Sequence, residues 1–422
     1  MGAGHGCAGR RGAATISRMR TLTRAASAAL TAAALCGLAG GCSSAGPGAQ
    51  NGPYTVWDPY PQLGASSQWS ELLARCANEN GASIRRSSFD AAALPGRAAA
   101  AAGQGLSPDI LVSSDQDLPA LVAQHLLAPD SATGLDPSGV APGVLAAAEV
   151  SGATYGLPLG VNTVALYYNK AILAAAGVSP ASIADWASLT AALAKVKAAG
   201  KVGITFAADD GADAAFSFEP WLWGAGGSLA APDSPAATAA LGLWTGWVRE
   251  GYAPASAAGG SLAASWMRFA AGGTAFAEGE ATEAVAAGRL GFSYGVIGIP
   301  PRSGGSAAPA PVSGESFTIP VQTGTNRYAI DDKIVGCMES GANGAAIDGE
   351  LSYLGAGSAA QAAQLKQTPA LQPWATVLQN VKAPAGDGAG ARFRTIAQEF
   401  GAAARSALDG SAAPGAALST VH

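Results

Sequence analysis

Three glutamates in the second half of the chain, Glu278, Glu280 and Glu283, are its best candidates for acid–base chemistry. Two carboxyl groups can hydrolyse a glycosidic bond when one protonates the leaving oxygen and the other acts as a base or nucleophile. The same spacing also fits the solvent-exposed acidic edge of a helix. These residues therefore leave a glycan-acting enzyme open as one interpretation.

Other catalytic chemistry has little support in the residues. Because His5 and His422 stand near the two ends, His125 is the one internal histidine, and Ser-His-Asp triads and histidine zinc sites would both depend on it. His125 continues an apolar helical stripe that starts at Leu118, which favours a structural histidine. The chain also has no nucleophile elbow, P-loop, H-E-x-x-H or EF-hand motif. We therefore expect a protein that is not an enzyme and holds no metal or cofactor.

Aromatic rings, carboxylates and amides recur along the chain, and this combination suits the recognition of a neutral sugar. The C–H face of a pyranose packs on an aromatic ring, while carboxylates accept hydrogen bonds from its hydroxyl groups. The candidate ligand contacts are Asp58, Tyr60, Asp115, Asn162, Glu219, Trp221, Glu280 and Trp374. Core packing is the alternative for the tryptophans, and we assign Trp244 and Trp247 to the core. For Trp374 a role as a loop anchor is equally open.

The elements that must position these side chains are clearest between residues 155 and 206. The β-branched and aromatic run 161–168 is typical of a strand buried on both faces. Asp185 predicts the N-cap of a helix that ends at Gly200, and 202–206 predicts the next strand. The pattern is thus strand, helix, strand, and it predicts an α/β protein.

A second predicted strand, 108–112, carries polar residues at its end. Ser113, Ser114 and Asp115 follow it directly. Open α/β sheets bind ligands beyond the carboxyl ends of their strands. We therefore expect Asp115 to lie where a ligand binds.

The order of these segments resembles the extracellular solute-binding proteins that deliver sugars to ABC importers, family 1, the group similar to maltose-binding protein. The matching motifs are G-x-P at 156–158, L-Y-Y-N-K at 166–170, A-G-x-x-P at 176–180, D-W at 185–186, K-x-x-G-K at 197–201 and Y-G-V-I-G-I-P at 294–300. The resemblance covers nearly all of residues 54–420. One departure is that members often have a tryptophan where this chain has Glu280, Ala281 and Thr282, which predicts a more polar contact.

The resemblance implies a two-lobed, type II periplasmic-binding-protein-like fold whose lobes are built from discontinuous segments around a hinge. The expected boundaries are 54–157 and 292–355 for lobe 1, and 158–291 and 356–422 for lobe 2. The segment after Pro158 would cross between the lobes, which makes Asn162 the strongest candidate for a ligand contact.

The function that the resemblance implies is binding of a sugar or oligosaccharide outside the cytoplasm and its delivery to the permease of an ABC importer. Two alternatives remain. One is a secreted glycan-acting enzyme that uses the Glu278, Glu280 and Glu283 carboxylates; the other is the same fold with a peptide or polyamine as ligand.

The N-terminal region predicts export and lipid anchoring. Met19 begins a better secretory signal than Met1, because Arg20 and Arg24 precede an apolar run at 25–39. Small residues then lead to Cys42, as in a bacterial lipobox, although Ala39 stands where leucine is usual. We expect a signal peptide at 1–41, a lipidated Cys42 that anchors the protein to the cell membrane, and a flexible tether at 42–53. An ordinary cleaved signal or a short membrane helix is the alternative.

Charge and cysteine content support an exported protein. Without the five arginines that precede Cys42, 19 basic residues face 29 acidic ones, a net charge of −10 that disfavours nucleic acid and anionic lipid as partners. Cys76 and Cys337 are then the remaining thiols, either paired or separately buried. The resemblance places both on helices of one lobe and so favours a disulfide.

Overall fold

Two main β-sheets, each covered by helices, form the part of the chain that the computed structural model describes, residues 52–209, 212–384 and 388–422. The predicted signal segment, Cys42 and the tether up to residue 51 lie outside these residues. Within the described ranges, no helix is long and apolar enough to cross a bilayer.

The strands, in chain order, are β1 (Tyr54–Asp58), β2 (Ile84–Ser88), β3 (Ile110–Ser114), β4 (Glu149–Val150), β5 (Ala153–Thr154), β6 (Leu157–Asn162), β7 (Val164–Asn169), β8 (Val202–Thr205), β9 (Thr274–Glu280), β10 (Tyr294–Ile297), β11 (Ala310–Pro311), β12 (Ser313–Thr318), β13 (Leu354–Gly355) and β14 (Val381–Lys382).

The helices are α1 (Gln68–Glu79), α2 (Leu94–Ala102), α3 (Leu118–Ala123), α4 (Asp130–Thr133), α5 (Pro142–Leu145), α6 (Lys170–Ala175), α7 (Trp186–Ala198), α8 (Ala212–Gly224), α9 (Pro235–Arg249), α10 (Leu262–Ala270), α11 (Ala284–Ala287), α12 (Tyr328–Met338), α13 (Gly341–Leu351), α14 (Ser358–Gln367), α15 (Gln372–Val377), α16 (Phe393–Leu408) and α17 (Pro414–Leu418).

The first sheet has six strands in the order β13-β6-β12-β3-β1-β2. β1 is parallel to β2 and β3, while β12 runs antiparallel to β3 and β6. Apolar side chains from α1, α12 and α13 pack on one face of this sheet, and side chains from α2 and α3 pack on the other. The sheet is therefore buried on both faces.

The second sheet has four strands in the order β10-β7-β9-β8. In β7, Val164 and Leu166 face a core formed with α7, α8, α9 and α16, whereas Ala165 and Tyr167 face a core formed with α10 and α15. Because successive residues of a strand point to opposite faces, this two-sided burial explains the continuous apolar run in the sequence.

The strand predicted at 161–168 is in fact two strands in different sheets, so that prediction is wrong in its continuity. β6 ends at Asn162 in the first sheet, β7 begins at Val164 in the second, and Thr163 alone lies between them. The polar pair Asn162 and Thr163 stands at the change of sheets, but threonine is common within strands, so the run was interpreted as a single strand. The structure nevertheless has the crossing that the resemblance implied.

Two elements that were predicted from local sequence signals, helix α7 and strand β8, are present in the structure. Asp185 caps α7 by accepting a hydrogen bond from the backbone N–H of Ser188, and the Ser188 hydroxyl accepts one from the N–H of Asp185 in return. The expected strand at 202–206 is β8. His125, however, does not lie on an apolar helical face: α3 ends at Ala123, and His125 is exposed with a left-handed φ of 57°.

A disulfide bond joins Cys76 of α1 to Cys337 of α12, with the two Cα atoms 5.6 Å apart. Both helices cover the same face of the first sheet. The bond therefore closes a chain segment that contains the whole second sheet.

Asp331 is a buried acid in the helical layer of the first sheet that has no hydrogen bond among the described residues. Asp331 on α12 has neither carboxyl oxygen bonded within the described residues, although Arg327 on the preceding turn forms an ion pair with Asp109. Burial raises the pKa of Asp331 to about 8; the charge of Asp109 adds to this increase, and that of Arg327 opposes it. Folding therefore keeps a proton on a carboxyl group that the unfolded chain would lose near pH 4.

We predict that Asp331→Asn makes stability less dependent on pH. Below pH 4 both states of the wild type hold the proton, and as pH rises towards 8 the unfolded state alone loses it, so wild-type stability falls. Proton loss from Asp331 in the unfolded state lowers the wild-type free energy of unfolding by about 1.4 kcal/mol per pH unit between about pH 5 and 7. Because asparagine does not ionise, urea unfolding of Asp331→Asn should show no such contribution. The exposed Asp90→Asn serves as the control. An unchanged slope in Asp331→Asn would contradict the assignment.

Candidate ligand-binding site

Polar side chains collect where the chain passes from the first sheet to the second. Asn162 is the last residue of β6 and Glu280 is the last residue of β9. Because Glu280 pairs with Val164, the first residue of β7, β9 ends beside the crossing. Nδ2 of Asn162 donates a hydrogen bond to Oε1 of Glu280. This bond joins a residue of the six-stranded sheet to a residue of the four-stranded sheet.

The short 3₁₀ turn that follows β9 is fixed by hydrogen bonds to the same crossing. The N–H of Ala281 donates to the carbonyl of Thr163 over 3.0 Å, and the hydroxyl of Tyr167 donates to the carbonyl of Glu280 over 2.9 Å. Glu283 then turns back so that its Oε2 accepts from the N–H of Glu280 at 2.5 Å. The turn thereby holds the carboxyl groups of Glu280 and Glu283 close together.

These two carboxyl groups are partly shielded from water, and they repel each other. Burial raises the pKa of Glu283 to about 8, and the charge of Glu280 contributes to the increase. Burial also raises the pKa of Glu280; the hydrogen bond from Asn162 opposes this, and the charge of Asp213 adds to it. Near neutral pH, a positive charge placed beside them would favour the ionised forms.

The first sheet contributes a second group of acids. Asp115 follows β3, and its Oδ1 accepts a hydrogen bond of 2.7 Å from the Ser316 hydroxyl. Glu315 lies on β12, paired with Gly160 of β6. Tyr353 lies over Gly160 so closely that a Cβ atom there would come within 2.7 Å of the Tyr353 Cβ, so the approach requires glycine.

Electrostatic interactions connect these acids to those of the second sheet. Burial raises the pKa of Asp115 to about 7, and the charge of Glu315 adds to the increase. Burial also raises the pKa of Tyr353, as do the charges of Glu315, Asp115 and Glu280. We call Asp115, Asn162, Glu280, Glu283, Glu315 and Tyr353 the intersheet cluster.

Two acceptors of the intersheet cluster have no hydrogen-bond donor within the described residues: Oδ1 of Asn162 and Oε2 of Glu315. Asn162 is 7% exposed. A buried acceptor without a donor costs free energy, which a ligand supplying an N–H or O–H group would recover. The cluster is therefore arranged to bind a molecule that donates hydrogen bonds.

The sequence also matches a known family. The family model described as bacterial extracellular solute-binding protein matches residues 71–373, well over half of the chain. The chain belongs to this family. No curated protein matches it in a sequence search.

Solved structures show the same fold as this solute-binding protein. The sugar-binding protein MalE from Xanthomonas citri has a TM-score of 0.72 at 19% identity, covering 88% of this chain and 95% of its own. The cyclic alpha-maltosyl-1,6-maltose binding protein from Arthrobacter globiformis has a TM-score of 0.71 at 20% identity, covering 88% and 97%. UgpB from Mycobacterium tuberculosis, in complex with glycerophosphocholine, has a TM-score of 0.67 at 21% identity, covering 88% and 96%. The predicted two-lobed α/β fold is confirmed, with one main sheet at the centre of each lobe.

Asp58 and Tyr60, both predicted ligand contacts, lie in the loop after β1. Asp58 is fully buried; it pairs with Arg86 and accepts hydrogen bonds from the Trp69 indole at 3.0 Å and the Tyr60 N–H at 3.0 Å. Tyr60 packs edge-to-face on Trp69, and its hydroxyl helps to lower the pKa of Glu315, which burial raises. The structure thus places Asp58 as a support of this loop and Tyr60 beside the intersheet cluster.

Three other predicted contacts lie in hydrophobic cores of the solute-binding protein. Trp221 is fully buried in the same core as Trp244 and Trp247, so the distinction that we drew between these rings is not seen. Trp374 is fully buried on α15, not in a loop, with its ring centroid 5.4 Å from that of Tyr167. Glu219, on α8, is also fully buried. These side chains are buried because of how α8 and α15 pack. The periodicity of the sequence did not predict which face of each helix points inward.

Glu278 differs from the other two glutamates of its group. It lies on β9, fully buried, and accepts hydrogen bonds from the Trp221 indole and the Ser217 hydroxyl. The alternative of an exposed helix edge does not apply to this residue, because it lies on a buried strand. Burial raises its pKa well above the ordinary value, while the Trp221 hydrogen bond opposes this. A carboxyl group in this position has no access to a glycan.

Glu315 and Tyr353 were not among the predicted site residues. Glu315 had a signal, since it is the single charged residue of the run 314–321. Tyr353 had none, because its position depends on the absence of a side chain at Gly160, almost 200 residues earlier.

A second polar contact links the two halves of the protein away from the crossing. Asp117, just before α3, forms an ion pair with Arg394 of α16. Since α16 packs against α8 and α9, this pair connects the helices of the first sheet to those of the second. Burial raises the pKa of Asp117, and Arg394 opposes that change.

A separate surface cavity of about 590 Å³ is lined by Ser107, Gln124, His125, Gln322 and other residues at the opposite end of β3 from Asp115. It does not include any member of the intersheet cluster.

We predict that Trp221→Phe destabilises the fold more than Trp244→Phe. Both rings are fully buried, but the Trp221 N–H donates to Glu278, whereas the Trp244 N–H has no hydrogen-bond partner in the described residues. Leaving a buried carboxyl group without its donor costs about 1–3 kcal/mol beyond the lost ring area. Denaturant unfolding of the two variants measures the difference. Equal losses would show that the Trp221 hydrogen bond contributes nothing to stability.

Proposed function

We propose that this solute-binding protein binds a sugar or oligosaccharide between its two lobes, outside the cytoplasm, and delivers it to an ABC-type importer. The observation that carries the proposal is the hydrogen bond from Asn162 to Glu280, which brings polar groups of both sheets together at the crossing. The family supports binding and transport. The neighbours described as sugar-binding support the ligand class, although UgpB shows that the fold also serves glycerophosphocholine.

The contacts with ligand come from both lobes. Asp115 lies on the first lobe, Glu280 on the second, and Asn162 at the point where the chain passes between them. A ligand that bonds to both sets stabilises the closed arrangement over an open one, in proportion to its difference in affinity for the two. The permease then recognises the closed surface. Thr163 is the expected hinge position, since it alone separates β6 from β7.

We assign the remaining predicted residues by their surroundings. Tyr60 faces the ligand together with Glu315 and Tyr353. The other four, Asp58, Glu219, Trp221 and Trp374, support the walls of the site from within the lobes. We propose that the lobes follow the two sheets, so that lobe 1 includes β6 up to Asn162 and lobe 2 includes β10, and that the boundaries expected at residues 158 and 292 shift accordingly.

The alternative of a glycan-acting enzyme has less support. Glu278 is fully buried against Trp221 and Ser217, which leaves Glu280 and Glu283 as the remaining pair. Their pKa values are both raised, and nothing in the turn separates them into an acid and a base. Catalysis by two carboxyl groups requires such a division of roles. We therefore propose a binding protein without catalytic activity.

We predict that Asn162→Ala weakens ligand binding while the fold is kept. The first step is a thermal-shift screen of the purified protein with neutral oligosaccharides, peptides and polyamines, since a ligand that binds the folded state raises the melting temperature. Losing one amide hydrogen bond should then raise the Kd of the best oligosaccharide about two- to tenfold in calorimetry. Asn78→Ala, an exposed asparagine on α1, is the matched control. Equal affinity of Asn162→Ala and wild type would place the site elsewhere.

We also propose that Cys42 is lipidated and anchors the protein to the cell membrane. Cys42→Ala should release the protein into the medium or leave an uncleaved precursor, because the anchor is a covalent lipid. Cys36→Ala, within the expected signal segment, should remain in the membrane fraction. Fractionation and intact mass spectrometry measure both. An unchanged mass and unchanged membrane association of Cys42→Ala would overturn the lipid anchor.

A further inference from the structure

The intersheet cluster contains four acids and no basic residue. The groups that act on the pKa values of Asp115, Glu280, Glu283 and Glu315 are other acids, hydroxyl groups, an amide side chain and backbone groups; no lysine or arginine is among them. All four pKa values are raised. Placing acids together in a shielded site is unfavourable unless something else compensates their charge.

Some acids that hold other parts of this protein in place have arginine partners. Buried Asp58 pairs with Arg86, buried Asp109 pairs with Arg327, and half-buried Asp117 pairs with Arg394. In the described part of the chain, Asp331 is buried without a hydrogen bond, and Glu278 is buried against uncharged donors, so the lack of an arginine alone does not mark a site. Among the described residues, the four acids of the intersheet cluster have no salt bridge to a basic side chain.

The unpartnered acceptors in the cluster are a second, independent observation. Oδ1 of Asn162 lies in a side chain that is 7% exposed, and neither it nor Oε2 of Glu315 has a donor among the described residues. One of the two N–H donors of the Asn162 amide is engaged with Glu280. The cluster therefore offers carboxyl and amide oxygens to a ligand, beside hydroxyl groups such as those of Tyr60 and Thr163 that can donate or accept.

A single metal ion does not suit this arrangement. Within the described ranges, no three His, Cys, Asp or Glu side chains come together with the geometry of metal ligands. The acids are instead distributed over two sheets, with Asp115 and Glu315 on the first and Glu280 and Glu283 on the second. Such an arrangement fits an extended organic ligand with hydrogen-bond donors along its length.

We propose that the sugar bound by this protein carries at least one protonated amino group, placed between the acids of the two lobes. This inference rests on the proposed function, because it specifies the class of sugar. An ammonium group supplies three donors and a positive charge, so it satisfies the unpartnered acceptors and compensates the repulsion between the carboxylates. A neutral hydroxyl supplies one donor and no charge.

The test compares an amino sugar with neutral sugars and with a linear polyamine. Calorimetry with the purified protein uses the trimer of β-1,4-linked glucosamine, the same trimer with N-acetyl groups, cellotriose and spermidine, at a pH where the amines are protonated. Cellotriose has the same linkage as the glucosamine trimer and differs from it by hydroxyl groups in place of the amino groups. We expect the glucosamine trimer to bind at least about tenfold more tightly than either neutral trimer. The advantage should shrink at high salt, because ions screen charge–charge interactions.

Two isosteric substitutions test the residues. Glu280→Gln and Glu283→Gln keep an oxygen that can accept the hydrogen bonds from Asn162 and from the Glu280 N–H, but each removes one charge. Each should reduce the preference for the amino trimer several-fold without lowering the melting temperature. Glu149→Gln, an exposed residue on β4, should leave the preference unchanged.

The outcomes separate the two proposals. Tight binding of a neutral trimer, with no preference for the amino trimer, overturns the amino-sugar inference and leaves sugar binding intact. Binding of spermidine with no binding of any trimer overturns both, as does the absence of binding by all four compounds.

Discussion

The hydrogen bond between Asn162 and Glu280 depends on how short the connection between the two main sheets is. The chain leaves the first sheet and enters the second with one residue, Thr163, between the strands. The ends of β6 and β9 are therefore held side by side, and hydrogen bonds from Ala281 and Tyr167 fix the turn that follows. The side chains of Asn162, Glu280 and Glu283 are positioned by this crossing and the turn beside it.

Acids in this protein have different kinds of partner. Acids paired with arginine hold loops and helices in place, since removing one partner of a buried pair is strongly destabilising. Acids of the intersheet cluster have no basic partner among the described residues, and burial raises the pKa of Asp115 to about 7 and that of Glu283 to about 8. Titratable groups with shifted pKa values are typical of functional sites. At such sites the arrangement that binds a ligand lowers the stability of the fold.

The sequence predicted the elements well and the orientation of side chains less well. The capping of α7 by Asp185 and the strand β8 follow from local chemistry, and local chemistry is visible in a sequence. The change of sheet at Thr163 coincides with the polar pair Asn162 and Thr163, but a polar pair within a β-branched and aromatic run does not by itself distinguish one strand from two.

The members of the candidate site were predicted unevenly for a similar reason. Asp115 was expected because it follows a predicted strand, and Asn162 was expected from the crossing that the resemblance implied, whereas no predicted strand end pointed to Glu280. Which face of α8 or α15 carries a tryptophan inward depends on packing between distant segments, and so Trp221 and Trp374 were placed in the site when both are in cores. Tyr353 depends on Gly160, a contact between residues that no local pattern connects.

The disulfide between Cys76 and Cys337 gives the chain a covalent ring. The two cysteines are 261 residues apart in sequence, and the entire second sheet lies between them. A single proteolytic cut anywhere in that interval therefore leaves two fragments that stay joined, and they separate only after reduction. When the second lobe unfolds, the disulfide still holds the two ends of this segment together. The unfolded segment therefore has less conformational freedom than an open chain of the same length.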